Sequence, residues 1–274
     1  MPDSPADTPR PMRRVALLVE YDGTSYHGVQ RQENTRETIQ EYLENAARSL
    51  GSLDPAFIAS GRTDAGVHAL GQVVAVTIPE KIEERRLALA FNHHLPNAIR
   101  VRRAAVCAPD FSPRLDARKR TYIYRFTAAE TVPPLFARFV AYIGYQVDPE
   151  LIQQAAAAFV GRWELCEWRS SICQAERTLL TIDECLATPP APDTLGEIRR
   201  WWEIRVRARS FLHHQVRFMA GGVIAVGSGR LPLEELKSAL AAGKRPTIVK
   251  KESAVGLCMT HVEFAEGRDP FASQ

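Results

Sequence analysis

Between Ala59 and His68 the chain reads Ala-Ser-Gly-Arg-Thr-Asp-Ala-Gly-Val-His. One carboxylate, Asp64, stands between Gly61 and Gly66, with the guanidinium of Arg62 close by in sequence. The glycines let a backbone turn tightly and approach a ligand closely. A loop of this kind between two strands can present a lone carboxylate as a nucleophile or base on a rigid scaffold. The same residues also fit an ordinary hairpin turn in which Asp64 bonds its own backbone. Two chemistries drop out. A phosphate loop needs Gly-Lys-Ser/Thr after its glycines, and none is here. An aspartic-protease pair needs a second such loop to share the proton.

Other residue patterns invite chemistry less strongly. His213-His214 raises a metal reading. Adjacent histidines on a helix are expected to point in different directions, however, and no Cys/His set completes a site, so no metal is expected there. Gly221-Gly222 with Gly227 and Gly229 resembles a dinucleotide loop only superficially. The glycines fall at the end of a helical stripe rather than between a strand and a helix start, which fits close packing and helix termination.

The elements that must position the Asp64 loop follow from periodicity. Val15–Tyr21 reads as a buried strand closed by the turn-forming Asp22-Gly23. Thr38-Ile-Gln-Glu41 has capping-box spacing, and Ile39, Leu43, Ala46 and Leu50 recur at helical intervals up to Gly51. Phe57–Ser60 and Gly71–Ile78 are strands flanking the loop, followed by a helix over Lys81–Asn92 and a strand over Ile99–Ala104. The order β-α-β-β-α-β fits a ferredoxin-like unit. The second half repeats the alternation. Thr121–Phe126 is a strand with Tyr122, Tyr124 and Phe126 on one face, and Asp148-Pro149 opens a helix running to Gly161. Trp202–Ser210 alternates, with Ile204, Val206 and Ala208 on one side and Arg205, Arg207 and Arg209 on the other. Leu212, Val216, Met219, Val223 and Val226 form a helical stripe, and Leu233–Ala242 and Leu257–Phe264 are the last helix and strand. Thr188–Thr194, with three prolines, reads as a hairpin loop. Two α+β units sharing sheet edges are expected: a tail over 1–12, a domain over 13–109 carrying the Asp64 loop, a second over 110–266, and a tail over 267–274.

Composition bounds the rest. The chain has 274 residues, 45% hydrophobic and 24% charged, which excludes disorder, collagen and coiled coil as descriptions of the whole. Apolar runs such as Val15–Val19 and Ala155–Val160 fall far short of the ~20 residues that span a bilayer. The first residues have no apolar core of a secretory signal. Five cysteines without a Cys-x-x-Cys pair fit reduced thiols. A cytoplasmic location without membrane association is therefore expected. The net charge of +3 is uninformative, but the arginine and lysine clusters fit either phosphate-binding patches or solvated faces.

Gly61-Arg-Thr-Asp-Ala-Gly-Val-His-Ala69 resembles the signature of the TruA family of tRNA pseudouridine synthases, and further segments agree in order. These are Glu20–Gln30, Asn92-His-His-Leu-Pro96, Asp110-Phe-Ser-Pro-Arg114 with Arg120-Thr-Tyr-Ile-Tyr124, Phe211-Leu-His-His-Gln-Val-Arg217 and Ala254-Val-Gly-Leu257. Together they span about residues 15 to 264. Val29, Gln215 and Cys258 depart from the pattern, where tryptophan, methionine and an aromatic are usual.

The resemblance implies a pseudouridine synthase fold: two ferredoxin- or RRM-like α+β units, with largely antiparallel sheets, joined around a central RNA-binding and active-site cleft. It implies isomerisation of uridine to pseudouridine at positions 38 to 40 of the tRNA anticodon stem-loop, by a homodimer. Asp64 maps to the family's catalytic aspartate, acting covalently or as a base at the sugar. Arg217 maps to the cation that keeps Asp64 ionised, and Tyr122 to the tyrosine that stacks on the base. Arg62 is placed to fill the space left by a flipped uridine or to hold a phosphate. Breaking N1–C1′ and rejoining through C5 involves no redox step or group transfer, so no cofactor or metal is expected. Arg205, Arg207 and Arg209 would form a phosphate ladder for RNA, or else a salt-bridged sheet face. Two other classes compete: an RNA-binding protein without turnover, and a nucleoside hydrolase, which would usually want a second carboxylate.

Overall fold

A computed structural model describes residues 11–190 and 201–272. The first half contains β1 (Met12–Tyr21), α1 (Ile39–Ser49), β2 (Ile58–Ala59), β3 (His68–Pro79), α2 (Leu87–His94) and β4 (Ile99–Val106). The second contains α3 (Pro113–Asp116), β5 (Ala117–Thr127), β6 (Ala141–Tyr142), α4 (Pro149–Ala158), β7 (Gly161–Glu164), β8 (Leu179–Thr188), β9 (Trp202–Ala208), α5 (Gln215–Gly227), α6 (Leu233–Ala241) and β10 (Leu257–Phe264). The β-α-β-β-α-β order of the first half is as the periodicity predicts. The expected tail over 1–12 and the loop over 188–194 fall largely outside the described residues.

The caps explain where the helices begin. Thr38 accepts a hydrogen bond from the Glu41 backbone N–H at the start of α1, the main half of a capping box. Asp148 accepts from Glu150 and Leu151 at the start of α4, with Pro149 at the first helical position. That helix ends at Ala158, short of Gly161, because Gly161 adopts φ +134 and opens β7 instead. The predicted stripe from Leu212 is likewise shorter as a helix. α5 begins only at Gln215, and His214 before it is left-handed with φ +65. Gly221 and Gly222 lie inside α5 rather than at its end. A Cβ on Gly221 would sit 2.1 Å from the Lys250 carbonyl oxygen, so close packing alone accounts for that glycine.

The strands form one mixed sheet in the order β4-β1-β3-β10-β5-β9-β8-β7, with β2 on β3 and β6 on β5. Its pairings are antiparallel except β3 with β10 and β5 with β6. The seam between the halves is thus the short parallel contact of His68 and Ala69 with Cys258 and Met259. Cys258, one of the three departures from the family pattern, is buried in that seam. The buried residues form one continuous core, from Leu17, Ile39 and Phe91 in the first half to Tyr124, Phe159 and Trp168 in the second. Register decides the faces: Tyr122 lies opposite Val206 and Met259, whereas Thr121 and Ile123 lie opposite Arg207 and Arg205. Tyr122 and the arginines therefore project from opposite faces of the sheet.

Candidate active site

Asp64 sits in the loop between β2 and β3, and the loop is braced along its length. At its base the Ser60 carbonyl accepts from Arg120 Nε at 2.9 Å and Nη2 at 2.7 Å. Gln72, fully buried, accepts from the Ser60 hydroxyl at 2.6 Å and donates to the Gly61 carbonyl at 2.9 Å. Thr63 Oγ1 is hydrogen-bonded to the buried Tyr21 hydroxyl at 2.7 Å, and its carbonyl accepts from Val29 N–H. Beyond Asp64 the Gly66 N–H donates to the Tyr26 carbonyl, with Gly66 at φ +76, a conformation glycine adopts freely. Gly61 has no such requirement, because a Cβ there would make only ordinary contacts with Arg120, Met259 and Tyr122. The backbone turn anticipated at both glycines is confined to Gly66.

Four basic side chains surround the Asp64 carboxylate. His213 Nε2 is 3.2 Å from Oδ1, His214 Nε2 3.5 Å from Oδ2, and Arg217 Nη1 3.9 Å from Oδ2. The Lys251 charge also reaches it. Burial pushes the Asp64 carboxyl above its ordinary range, and the charges of His213, Arg217 and Lys251 oppose that shift. His214 moves the other way, down to about 4, first from burial and then from the neighbouring positive charges. Arg217 is held from below by its Nε, which donates to the Glu252 carbonyl at 2.7 Å. Tyr122 packs edge-on against Phe211 with ring centroids 5.3 Å apart. Burial, and then Tyr21 and Asp64, push its hydroxyl well above the ordinary phenol value. The Gly61 contacts place that hydroxyl against the base of the Asp64 loop.

Asp64, Tyr122 and Arg217, which the resemblance implies as partners, thus lie together where the loop, β5 and α5 meet. The lone central carboxylate can act as a nucleophile or base, with cations to stabilise its charge and an aromatic ring beside it.

A family model described as tRNA pseudouridine synthase matches residues 17–116 and 155–265. The chain belongs to the tRNA pseudouridine synthase family. The family's chemistry is an isomerisation, and its members share the pseudouridine synthase fold. The chain is 39% identical over 267 residues to the tRNA pseudouridine synthase A of Acidiphilium cryptum, covering 95% of this chain and 99% of that one. It is 39% identical to that of Rhodospirillum rubrum, covering 92% and 88%, and 37% identical to that of Methylobacterium nodulans, covering 93% and 97%.

Arg62 is exposed and makes no ion pair with Asp64 among the described residues. Arg205 and Arg207 lie outside the cleft, on the opposite sheet face, paired with Glu184 and Glu263 at 3.9 Å each. Arg209 lies beyond the end of β9, exposed, and lends its carbonyl to Arg120 Nη1 at 2.5 Å. Several residues around Asp64 carry no functional expectation from sequence. Arg120 shares a strand face with Tyr122 two residues on, and Gln72 is a buried polar residue in the largely apolar β3. Adjacent histidines on a helix are expected to diverge. His213 and His214 converge on Asp64 instead, because residues 211–214 precede α5 and His214 reverses the backbone. Gln215, another departure from the family pattern, helps hold that reversal: its Oε1 accepts from the Leu212 N–H at 2.8 Å.

Proposed function

We propose that this chain converts uridine to pseudouridine in the anticodon stem-loop of tRNA, at positions 38 to 40, with Asp64 as the catalytic carboxylate. The observation that carries the reading is the braced, largely buried Asp64 with the Arg217 guanidinium at its Oδ2. The reaction breaks N1–C1′, turns the uracil, forms C5–C1′, releases the C5 proton and leaves N1 protonated. Asp64 serves it either by adding to C1′ or by acting as a base at the sugar. Arg217 keeps the carboxylate charged against the penalty of burial. Tyr122 offers its ring to the extruded base, and the exposed Arg62 enters the space the base leaves or binds a phosphate. The reading includes a homodimer sharing one tRNA, as the family resemblance implies, and a cytoplasmic setting. Among the described residues no helix is long and apolar enough to cross a membrane.

The test is incubation of unmodified tRNA with the protein, followed by digestion and nucleoside analysis of one portion and position-resolved chemical mapping of pseudouridine in another. The expected product is pseudouridine at positions 38 to 40. Free uracil would identify a hydrolase, and unchanged uridine with tight binding would identify an RNA-binding protein.

A further inference from the structure

His213 and His214 play no part in the chemistry proposed above, yet both aim at its central carboxylate. Each presents its Nε2, at 3.2 and 3.5 Å from the two Asp64 oxygens, and the donor atoms of all three residues lie within 4.8 Å of one another. The two imidazoles lie face to face, with centroids 3.8 Å apart and a tilt of 30°. This arrangement comes from the left-handed backbone at His214, which turns neighbouring residues the same way. Zinc bonds to nitrogen and oxygen of about 2.0–2.1 Å in tetrahedral geometry put neighbouring donors roughly 3.3 Å apart. The two measured N–O separations bracket that edge.

We infer that Asp64, His213 and His214 form a binding site for a divalent transition metal of the zinc type, and that a metal bound there switches the enzyme off. Three protein donors leave the fourth tetrahedral position for water, so the site is open and exchangeable. Imidazole donors favour zinc over magnesium, which demands six hard oxygens in octahedral array. The positive charges of Arg217 and Lys251 compete with the cation for Asp64, so the site is weaker than a closed structural zinc centre. A bound metal takes the carboxylate away from the uridine while the phosphate contacts that carry tRNA affinity stay open, so inhibition lowers kcat more than it raises KM. The inhibitory clause rests on Asp64 as the catalytic group; the binding clause rests on geometry alone.

The experiment titrates Zn²⁺ into the full chain without RNA, against a chromophoric chelator, with the visible spectrum of Co²⁺ as a second readout of tetrahedral coordination. One equivalent is expected to bind, with affinity at least tenfold weaker in His213→Gln and in His214→Asn. Asparagine suits the left-handed backbone at 214, and circular dichroism confirms that each variant folds. Cys166→Ser removes the exposed thiol and is expected to leave zinc affinity unchanged. Zn²⁺, but not Mg²⁺ at the same concentration, is expected to inhibit pseudouridine formation, with relief by a chelator and not by excess tRNA. Binding that survives both histidine substitutions, or no stoichiometric binding at micromolar zinc, overturns the site. Histidine-dependent binding without inhibition overturns the switch and argues against Asp64 as the catalytic carboxylate. Absence of turnover under all conditions leaves the zinc titration intact as the test of the site.

Discussion

Asp64 combines two opposed influences: burial that disfavours its charge and cations that restore it. Asp64→Asn keeps the volume and removes the charge. It is expected to bind tRNA with near-normal affinity and to show no turnover, because affinity comes mainly from phosphate contacts elsewhere. Retention of a tenth of the wild-type single-turnover rate, only about 1.4 kcal/mol of barrier, would remove Asp64 from the chemistry. Arg217→Met tests the opposing influence. Arg217 lowers the Asp64 pKa, so its loss lets burial raise the carboxyl further, and the ionised form then appears only at higher pH. The acid limb of the single-turnover profile is expected to move to higher pH, with turnover falling more than tRNA affinity. An unmoved acid limb with weakened binding would make Arg217 a phosphate contact.

The Asp64 loop is held by its neighbours in the sheet. Arg120, almost fully buried, spends its guanidinium on the carbonyls of Ser60, Arg114 and Arg209, tying the loop to α3 and to the end of β9. Lysine keeps the charge but lacks the planar fork that reaches three carbonyls together. Each buried carbonyl left unpaired costs roughly 1–3 kcal/mol. Arg120→Lys is expected to lower the melting temperature and to reduce kcat at least tenfold, while KM for tRNA changes less than about threefold. Equal loss in both parameters, or a loss of stability with normal kcat, would leave Arg120 no part in positioning the loop. Residues 211–214 are the other element on which the site depends. Read as the first turn of a helix they would scatter the histidines; as an irregular turn closed by Gln215 they direct both at Asp64.

Across the whole molecule the continuous sheet separates two surfaces. Tyr122 belongs to the face of the cleft, and Arg205 and Arg207 to the other, where Glu184 and Glu263 already partner them. Changing Arg205, Arg207 and Arg209 together to glutamine is therefore expected to leave the single-turnover rate at saturating tRNA unchanged. Three phosphate contacts would flatten the slope of log affinity against log salt by about two to three units. The expected flattening is smaller, because two of the guanidiniums already stand 3.9 Å from carboxylates that compete with phosphate for them. A full loss of two to three units, measured by binding at several salt concentrations, would establish the stripe as an RNA ladder.

The order of strands and helices in the first half, and β5, α4, β9, α5, α6 and β10 in the second, is legible from period, caps and turn residues, since these act within a few positions of one another; α3, β6, β7 and β8 are not. The Thr38 and Asp148 caps, the alternation of β9 and the identity of Asp64 all lie in such local patterns. Sheet order was not legible in the same way. The seam of β3 against β10 joins residues about 190 positions apart through two short pairs, and nothing local to either strand specifies its partner. The opposition of the arginine stripe to Tyr122 follows from the register of β5 on β9, a property of two strands that neither carries alone. The convergence of His213 and His214 needed a positive φ at a residue that is not glycine, held by packing around α5 and by a side-chain hydrogen bond. Local patterns thus determined most of the elements, and the family resemblance singled out Asp64, while long-range pairing and one tertiary turn decided which side chains meet that carboxylate.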